Sequence, residues 1–120
     1  LETSEAGLTD LLQTISATGL GSFLAVLKRL GPQGAGLSFP MEGHTLALDF
    51  PATPAALALL ADLDRITLAH GGRFYLAKDS RLTPDMLRRT DPRATTFRAM
   101  RDAAALPACF SSSQSERLYL

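Results

Sequence analysis

The run Phe74-Tyr75-Leu76-Ala77-Lys78-Asp79-Ser80-Arg81 carries a short apolar stretch straight into a dense charged cluster. A lysine placed where a buried strand ends is held firmly at its backbone while its ammonium faces a cleft. Lys78 is therefore the first candidate for chemistry. Lys28, near the end of the apolar run Ser22–Leu30, is placed in the same way. His44 opens a strand beside a glycine turn and reads first as a surface residue, second as a residue lining a site. His70 falls in the last turn of a helix, where partial positive charge suits the dipole. The two histidines lie far apart with no cysteine or carboxylate at ligand spacing, so no metal site is expected. Gly31-Pro32-Gln33-Gly34-Ala35-Gly36 lacks the Gly-Lys-Ser/Thr ending of a phosphate loop and reads as a plain connection. Ser111, Ser112, Ser113 and Ser115 have no nucleophile-elbow context and read as a tail loop.

The elements that must position these side chains belong to a chain of 120 residues, about one small domain. Its 46% hydrophobic and 20% charged residues describe an ordinary globular protein. Twelve basic and twelve acidic residues cancel, which leaves no net field to recruit nucleic acid or an anionic membrane. Cys109 is the single cysteine, so no internal disulfide can form and a cytoplasmic setting is expected. No apolar run approaches the ~20 residues of a membrane span. The first residues do not read as a signal peptide, and the lack of an initiating Met leads us to expect the C-terminal piece of something longer.

Leu8, Leu11, Leu12 and Ile15 form one stripe and predict an amphipathic helix from about Glu5 to Thr18, stopped near Gly19 and Gly21. Ser22–Leu30 reads as a strand. His44–Phe50 alternates, with Leu46, Leu48 and Phe50 on one face and Thr45, Ala47 and Asp49 on a small, polar face that could floor a cleft. Thr53-Pro54 predicts a helix start, with Leu59, Leu60, Leu63 and Ile66 toward the core as far as His70, and Gly71-Gly72 a stop. Arg73–Ala77 is expected as a strand, and strand–helix–strand with short links favours a parallel or split βαβ pairing. Thr83-Pro84 starts another helix that Asp91-Pro92 interrupts. A last helix from about Arg93 to Ala104 places Phe97, Met100 and Ala104 on one face, and Phe110–Ser115 is expected as loop. The class is α+β: a small mixed or antiparallel sheet with helices packed on one face.

Three segments go beyond generic fold reasoning: SFLAVLKRLGP (Ser22–Pro32), LSFPMEGHTLALDFP (Leu37–Pro51) and GGRFYLAKDSR (Gly71–Arg81). In this order and spacing they resemble the C-terminal part of the decaprenylphosphoryl-β-D-ribose 2-oxidase family, within the vanillyl-alcohol-oxidase-like group of FAD-linked oxidoreductases. The resemblance covers most of the chain and is strongest in the third segment. It implies a two-domain flavoprotein whose N-terminal domain, absent from this chain, makes most FAD contacts. Residues 1–76 would then close the substrate domain, and 77–120 would return to the FAD-binding domain. The family's glycine-rich pyrophosphate loops have no counterpart here, so the segment alone is expected to be inactive.

The resemblance matches Lys78 to an active-site lysine beside flavin and substrate, Tyr75 to a tyrosine of the same pocket, and Lys28 to another site lysine. An ammonium there would stabilise the negative charge of the reduced ring and orient the substrate oxygen. Well-known family members carry asparagine and cysteine where this chain has Thr45 and Ala47, and tryptophan where it has His44. These three positions would contact substrate, and their change alters the pocket's shape and leaves the sugar or polyol open. The implied activity is oxidation of a secondary alcohol of a sugar-like substrate, by hydride transfer to flavin. A non-catalytic α+β binding or interaction module is the alternative, and a fragment inactive by itself is compatible with the first reading. Expected partners are the missing FAD domain and a small-molecule substrate, with no nucleic acid. The apolar surface that would meet the missing domain predicts self-association of the isolated segment.

Overall fold

The computed structural model describes residues 2–105 and 107–120. Leu1, the first residue of the expected 1–76 segment, lies outside the described residues. The order is α1 (Glu2–Thr18), β1 (Leu24–Leu30), β2 (Gly43–Asp49), α2 (Pro54–Ala69), a 3-10 turn at Leu76–Lys78, α3 (Pro84–Thr90), α4 (Arg93–Ala103), a second 3-10 turn at Ala108–Phe110, and α5 (Ser113–Leu118). The fold class is α+β. The described residues pack as two units, 2–33 with 40–72, and 34–39 with 73–105 and 107–120.

In the first unit, α1 packs against α2 and β2. Leu8, Leu11 and Ile15 are half-buried as the stripe predicts, whereas Leu12 lies at its edge and is exposed. Gly7 is buried where α1 meets the end of α2: a Cβ there would stand 3.1 Å from Cβ and Cγ of His70. Asp10 Oδ2 lies 2.8 Å from His70 Nε2 across the same junction. Helix α2 starts as expected, with Thr53 Oγ1 accepting from Ala56 N at 3.2 Å and Pro54 at the first position. Ala56, Leu59 and Leu63 supply its buried face, with Leu60 and Ile66 half-buried beside them. Gly71, at φ +67°, ends it in a Schellman arrangement: Gly72 N donates to Thr67 O at 2.8 Å and Gly71 N to Leu68 O at 3.0 Å.

The expected βαβ unit does not form. β1 and β2 pair antiparallel as a hairpin, with Leu24 opposite Asp49 and Leu30 opposite Gly43. Ser22 closes its open end, its Oγ accepting from Asp49 N at 3.0 Å and donating to Leu24 O at 2.6 Å. The strand expected at Arg73–Ala77 is instead irregular chain leading into the 3-10 turn. Phe74 and Leu76 are half-buried by side-chain packing, Tyr75 and Ala77 are exposed, and among the described residues no neighbouring strand supplies a ladder. Phe74 and Leu76 pack against a cluster of Leu82, Leu87, Ala94 and Leu118 in the second unit.

Two more expectations change in that unit. Of the three residues expected on one face of α4, Phe97 is half-buried, whereas Met100 is 66% exposed and Ala104 is exposed too, so Ala94 and Phe97 mark the inward face. The expected tail loop contains α5, started by a capping box in which Ser112 Oγ accepts from Ser115 N at 3.1 Å and Ser112 N donates to Ser115 Oγ at 2.8 Å. Six residues cannot sustain a helix alone. Packing makes up the difference: Leu118 is 1% exposed.

Replacing Gly71 by Ala forces a Cβ into the left-handed region and should cost about 1–2 kcal/mol. Urea unfolding reads this as a lower midpoint at unchanged slope. An unchanged midpoint would show that the left-handed stop is not what ends α2.

Candidate functional site

The hairpin register decides which predicted residues share a surface. Lys28 stands opposite Thr45, and Val26 opposite Ala47. Opposed residues of an antiparallel pair project to the same face, with Cβ atoms ~4.5–5.5 Å apart. Lys28, Thr45 and Ala47 therefore lie on one face, Lys28 exposed and the other two half-buried. His44 is one residue out of phase and stands on the opposite face, paired in register with Arg29. Its backbone N donates to Ser4 Oγ at 2.8 Å, and its Nδ1 lies 3.0 Å from the same oxygen. The His44 ring is thereby tied to α1.

Lys78 and Tyr75 belong to the second unit. Lys78 closes the 3-10 turn, its backbone N donating to Tyr75 O at 3.0 Å, and it is exposed. Asp79 follows with a side chain only 8% exposed. Its Oδ1 accepts from Arg81 N at 3.0 Å and Leu82 N at 2.7 Å, and its Oδ2 from Arg117 Nη2 at 2.8 Å. Gln114 Nε2 donates to Leu76 O at 2.5 Å, and Arg117 Nη1 to Leu82 O. The turn carrying Lys78 is thus fastened by two side chains of α5.

Tyr75 is 51% exposed, its ring centroid 5.0 Å from that of Phe39 at a tilt of 43°. The pair borders a small pocket of about 130 Å³ lined also by Leu37, Phe74, Leu76 and Leu87. Its rim is set by a second buried carboxylate. Asp91, at the end of α3, takes Arg93 Nε at 2.7 Å on Oδ1 and Arg93 Nη2 at 2.6 Å on Oδ2, with Arg73 Nη1 3.9 Å away. The same Arg93 donates to Gly36 O and Ser38 O, both at 2.8 Å, and so anchors the segment that carries Phe39.

None of Asp79, Asp91, Arg93, Gln114 and Arg117 was singled out from the sequence as part of a site. The Asp91-Pro92 break and the Ser112-x-x-Ser115 spacing were the available signals, for a helix end and a helix start. Among the described residues no group of three or more His, Cys, Asp or Glu could hold a metal ion, and no helix is long and apolar enough to cross a membrane. Cys109 is exposed with a free thiol.

Both carboxyls are held below their ordinary value. For Asp79, burial opposes ionisation but is outweighed by the Arg117 hydrogen bond, the Leu82 and Arg81 N–H groups and the Arg117 charge. For Asp91, burial is likewise outweighed, by the Arg93 hydrogen bond and charge, the Arg73 charge and the Arg93 N–H. A carboxyl whose folded pKa lies below its unfolded value of about 3.9 stabilises the fold fully above that pH. That contribution disappears as pH falls through the folded value. Stability should therefore drop between about pH 5 and pH 2, and Asp79→Asn with Asp91→Asn should flatten part of the slope. Chemical unfolding across that range measures it. An identical slope in the double variant would place the acid sensitivity elsewhere.

No family model matches the chain. It is similar to decaprenylphosphoryl-β-D-ribose oxidase of Mycolicibacterium smegmatis, 36% identical over 112 residues that make up 92% of this chain and 24% of that protein. It is also similar to an uncharacterized protein in the mprA 5'region of Streptomyces coelicolor, 38% identical over 115 residues, 94% of this chain and 31% of that protein. The chain thus spans from just under a quarter to just under a third of the length of these relatives. The first of them bears out the resemblance carried by the segments around Lys28, Thr45 and Lys78.

Proposed function

We propose that this chain is a segment of a cytoplasmic FAD-dependent oxidoreductase that oxidises a secondary alcohol of a sugar-like substrate. The observation that carries the reading is the Lys78 turn. It presents an exposed lysine, followed by the anchored Asp79 and bonded through its backbone to Tyr75, whose ring pairs with Phe39, in a chain 36% identical to a decaprenylphosphoryl-β-D-ribose oxidase. In this reading residues 1–76 close a substrate domain and 77–120 return to the FAD-binding part. The packing break at Gly72 supports a change of partner near that point.

The residues present suit one edge of a flavin. Bound FAD supplies an acceptor at N5 for the hydride that leaves the alcohol carbon. Lys78 offers a preorganised positive charge where negative charge accumulates on reduction, and Tyr75 an aromatic face with a hydroxyl at its tip. The pyrophosphate would be held by the part of the protein that this chain lacks. On the hairpin, Lys28 reaches toward an anionic or hydroxyl group of the substrate, with Thr45 and Ala47 as the floor on the same face. His44, tied to Ser4, would act from the other face, by shaping the hairpin. Thr45 adds a hydroxyl and Ala47 little bulk, which suits a polar sugar or polyol.

Partners follow from the surface. Phe23 is 79% exposed and Leu27 58%, on and beside a strand with only one neighbour among the described residues. A two-stranded sheet is marginal by itself. The remaining two-thirds or more of the flavoprotein is the partner expected to cover it, and the isolated segment should self-associate in its absence. Phe23→Ser with Leu27→Ser should shift the isolated segment toward monomer in sedimentation; an unchanged distribution would remove this patch from the interface.

In the full-length flavoprotein, Lys78→Ala should stay folded and yellow but reduce its flavin by substrate about 100-fold or more slowly, as loss of one charge-stabilising group does. Anaerobic stopped-flow bleaching of the flavin band measures it. Reduction at the wild-type rate would end the catalytic assignment of Lys78.

A further inference from the structure

We infer that Gln114 and Arg117, acting through and beside Asp79, are positioning residues for Lys78, so that the C-terminal helix α5 sets where the amine stands. The inference rests on the reading of Lys78 as a site residue. It adds residues that neither the motif nor the apolar pattern marks.

Gln114 and Arg117 are three residues apart on α5 and so share one face of it. Between them they hold polar groups on both sides of Lys78. Before the lysine, Gln114 Nε2 donates to Leu76 O at 2.5 Å. After it, Arg117 takes the Asp79 carboxylate at 2.8 Å and donates to Leu82 O. Asp79 passes the restraint on, since its other oxygen holds the N–H groups of Arg81 and Leu82. Lys78 is bracketed by bonds that all lead to one helix.

Simple cohesion would need none of this. Leu118 already fastens α5 to the core formed with Leu82, Leu87 and Ala94. The polar bonds go instead to the Leu76 and Leu82 carbonyls and the Asp79 carboxylate, around an exposed lysine in a turn that no sheet stiffens among the described residues. A guanidinium fork meeting a carboxylate and a carbonyl together also fixes direction in a way that an ammonium cannot. A displacement of about 1 Å at a catalytic group can cost roughly 100-fold in rate, so a restraint of this kind has a kinetic consequence.

The test uses the full-length flavoprotein with Arg117→Ala, Arg117→Lys, Gln114→Ala, Lys78→Ala and the Lys78→Ala/Arg117→Ala pair. It reads the flavin reduction rate, substrate affinity and amide hydrogen exchange over Asp79–Leu82. Arg117→Ala should speed exchange there while core amides keep their protection, and slow flavin reduction by about 10–100-fold with little change in substrate affinity. Arg117→Lys should recover part of the rate, Gln114→Ala should lose less, and Arg117→Ala should add nothing once Lys78 is gone. Unchanged exchange in Arg117→Ala overturns the proposal, and so does a rate loss that multiplies with that of Lys78→Ala. Should Lys78→Ala itself keep the wild-type rate, the catalytic reading fails. Exchange alone then decides whether Arg117 pins the turn: faster exchange upholds the pin and unchanged exchange overturns it.

Discussion

The Asp79 carboxylate sits in surroundings that disfavour its charge, and the donors that converge on it outweigh that penalty. Burial alone would raise its pKa. The Arg117 guanidinium and two backbone N–H groups reverse the sign. Removing any one donor leaves a buried charge short of partners, which is far more costly than never having buried it. The order of the turn and the ionisation of the carboxylate are consequently linked through Arg117, while Leu118 fastens α5 to the core by itself. Asp91 repeats the logic in the same unit, where Arg93 both neutralises the carboxylate and holds the Gly36 and Ser38 carbonyls. Two buried acids, each matched to an arginine, organise the loops that a sparse apolar core leaves unfixed.

This division of labour explains which features could be read from the chain. The helices α1 and α2 were legible because their signals are local: a leucine stripe, a Thr-Pro start, a Gly-Gly stop. Each acts within one or two turns and needs no distant partner. The hairpin face carrying Thr45 and Ala47 was legible too, since alternation fixes a strand's faces wherever its partner lies. That Lys28 stands opposite Thr45 needed the register, which depends on a long connection through Gly31–Glu42 with no tight turn to set it.

Arg73–Ala77 was misread for an instructive reason. Phe74 and Leu76 are apolar and two apart, which is a strand's period, but a strand also requires a neighbour to take its backbone bonds. Here Tyr75 O and Leu76 O accept from Lys78 N and Asp79 N within the turn, and Gln114 also reaches Leu76 O from 38 positions away. No window of sequence contains both ends of that interaction. The same applies to α5, whose six residues have little intrinsic helicity and form through Leu118 and the Ser112–Ser115 cap. Serine-rich sequence reads as loop unless the cap spacing is weighed against burial further along.

In the proposed site, Lys78 would draw its specificity from what surrounds it. Lysines are common on surfaces, and their flexible stems usually forfeit any directed use of the charge. What sets Lys78 apart is a backbone fixed on both sides, with the adjacent acid already committed to Arg117 and two amides. Both oxygens of Asp79 take donors, from the Arg81 and Leu82 N–H groups and from Arg117. The local arrangement therefore stiffens the turn on the C-terminal side of Lys78. In the proposed role of Lys78, charge on a reacting group would be met by a cation whose backbone is already fixed, which is the condition under which electrostatic stabilisation lowers a barrier instead of merely binding a ligand.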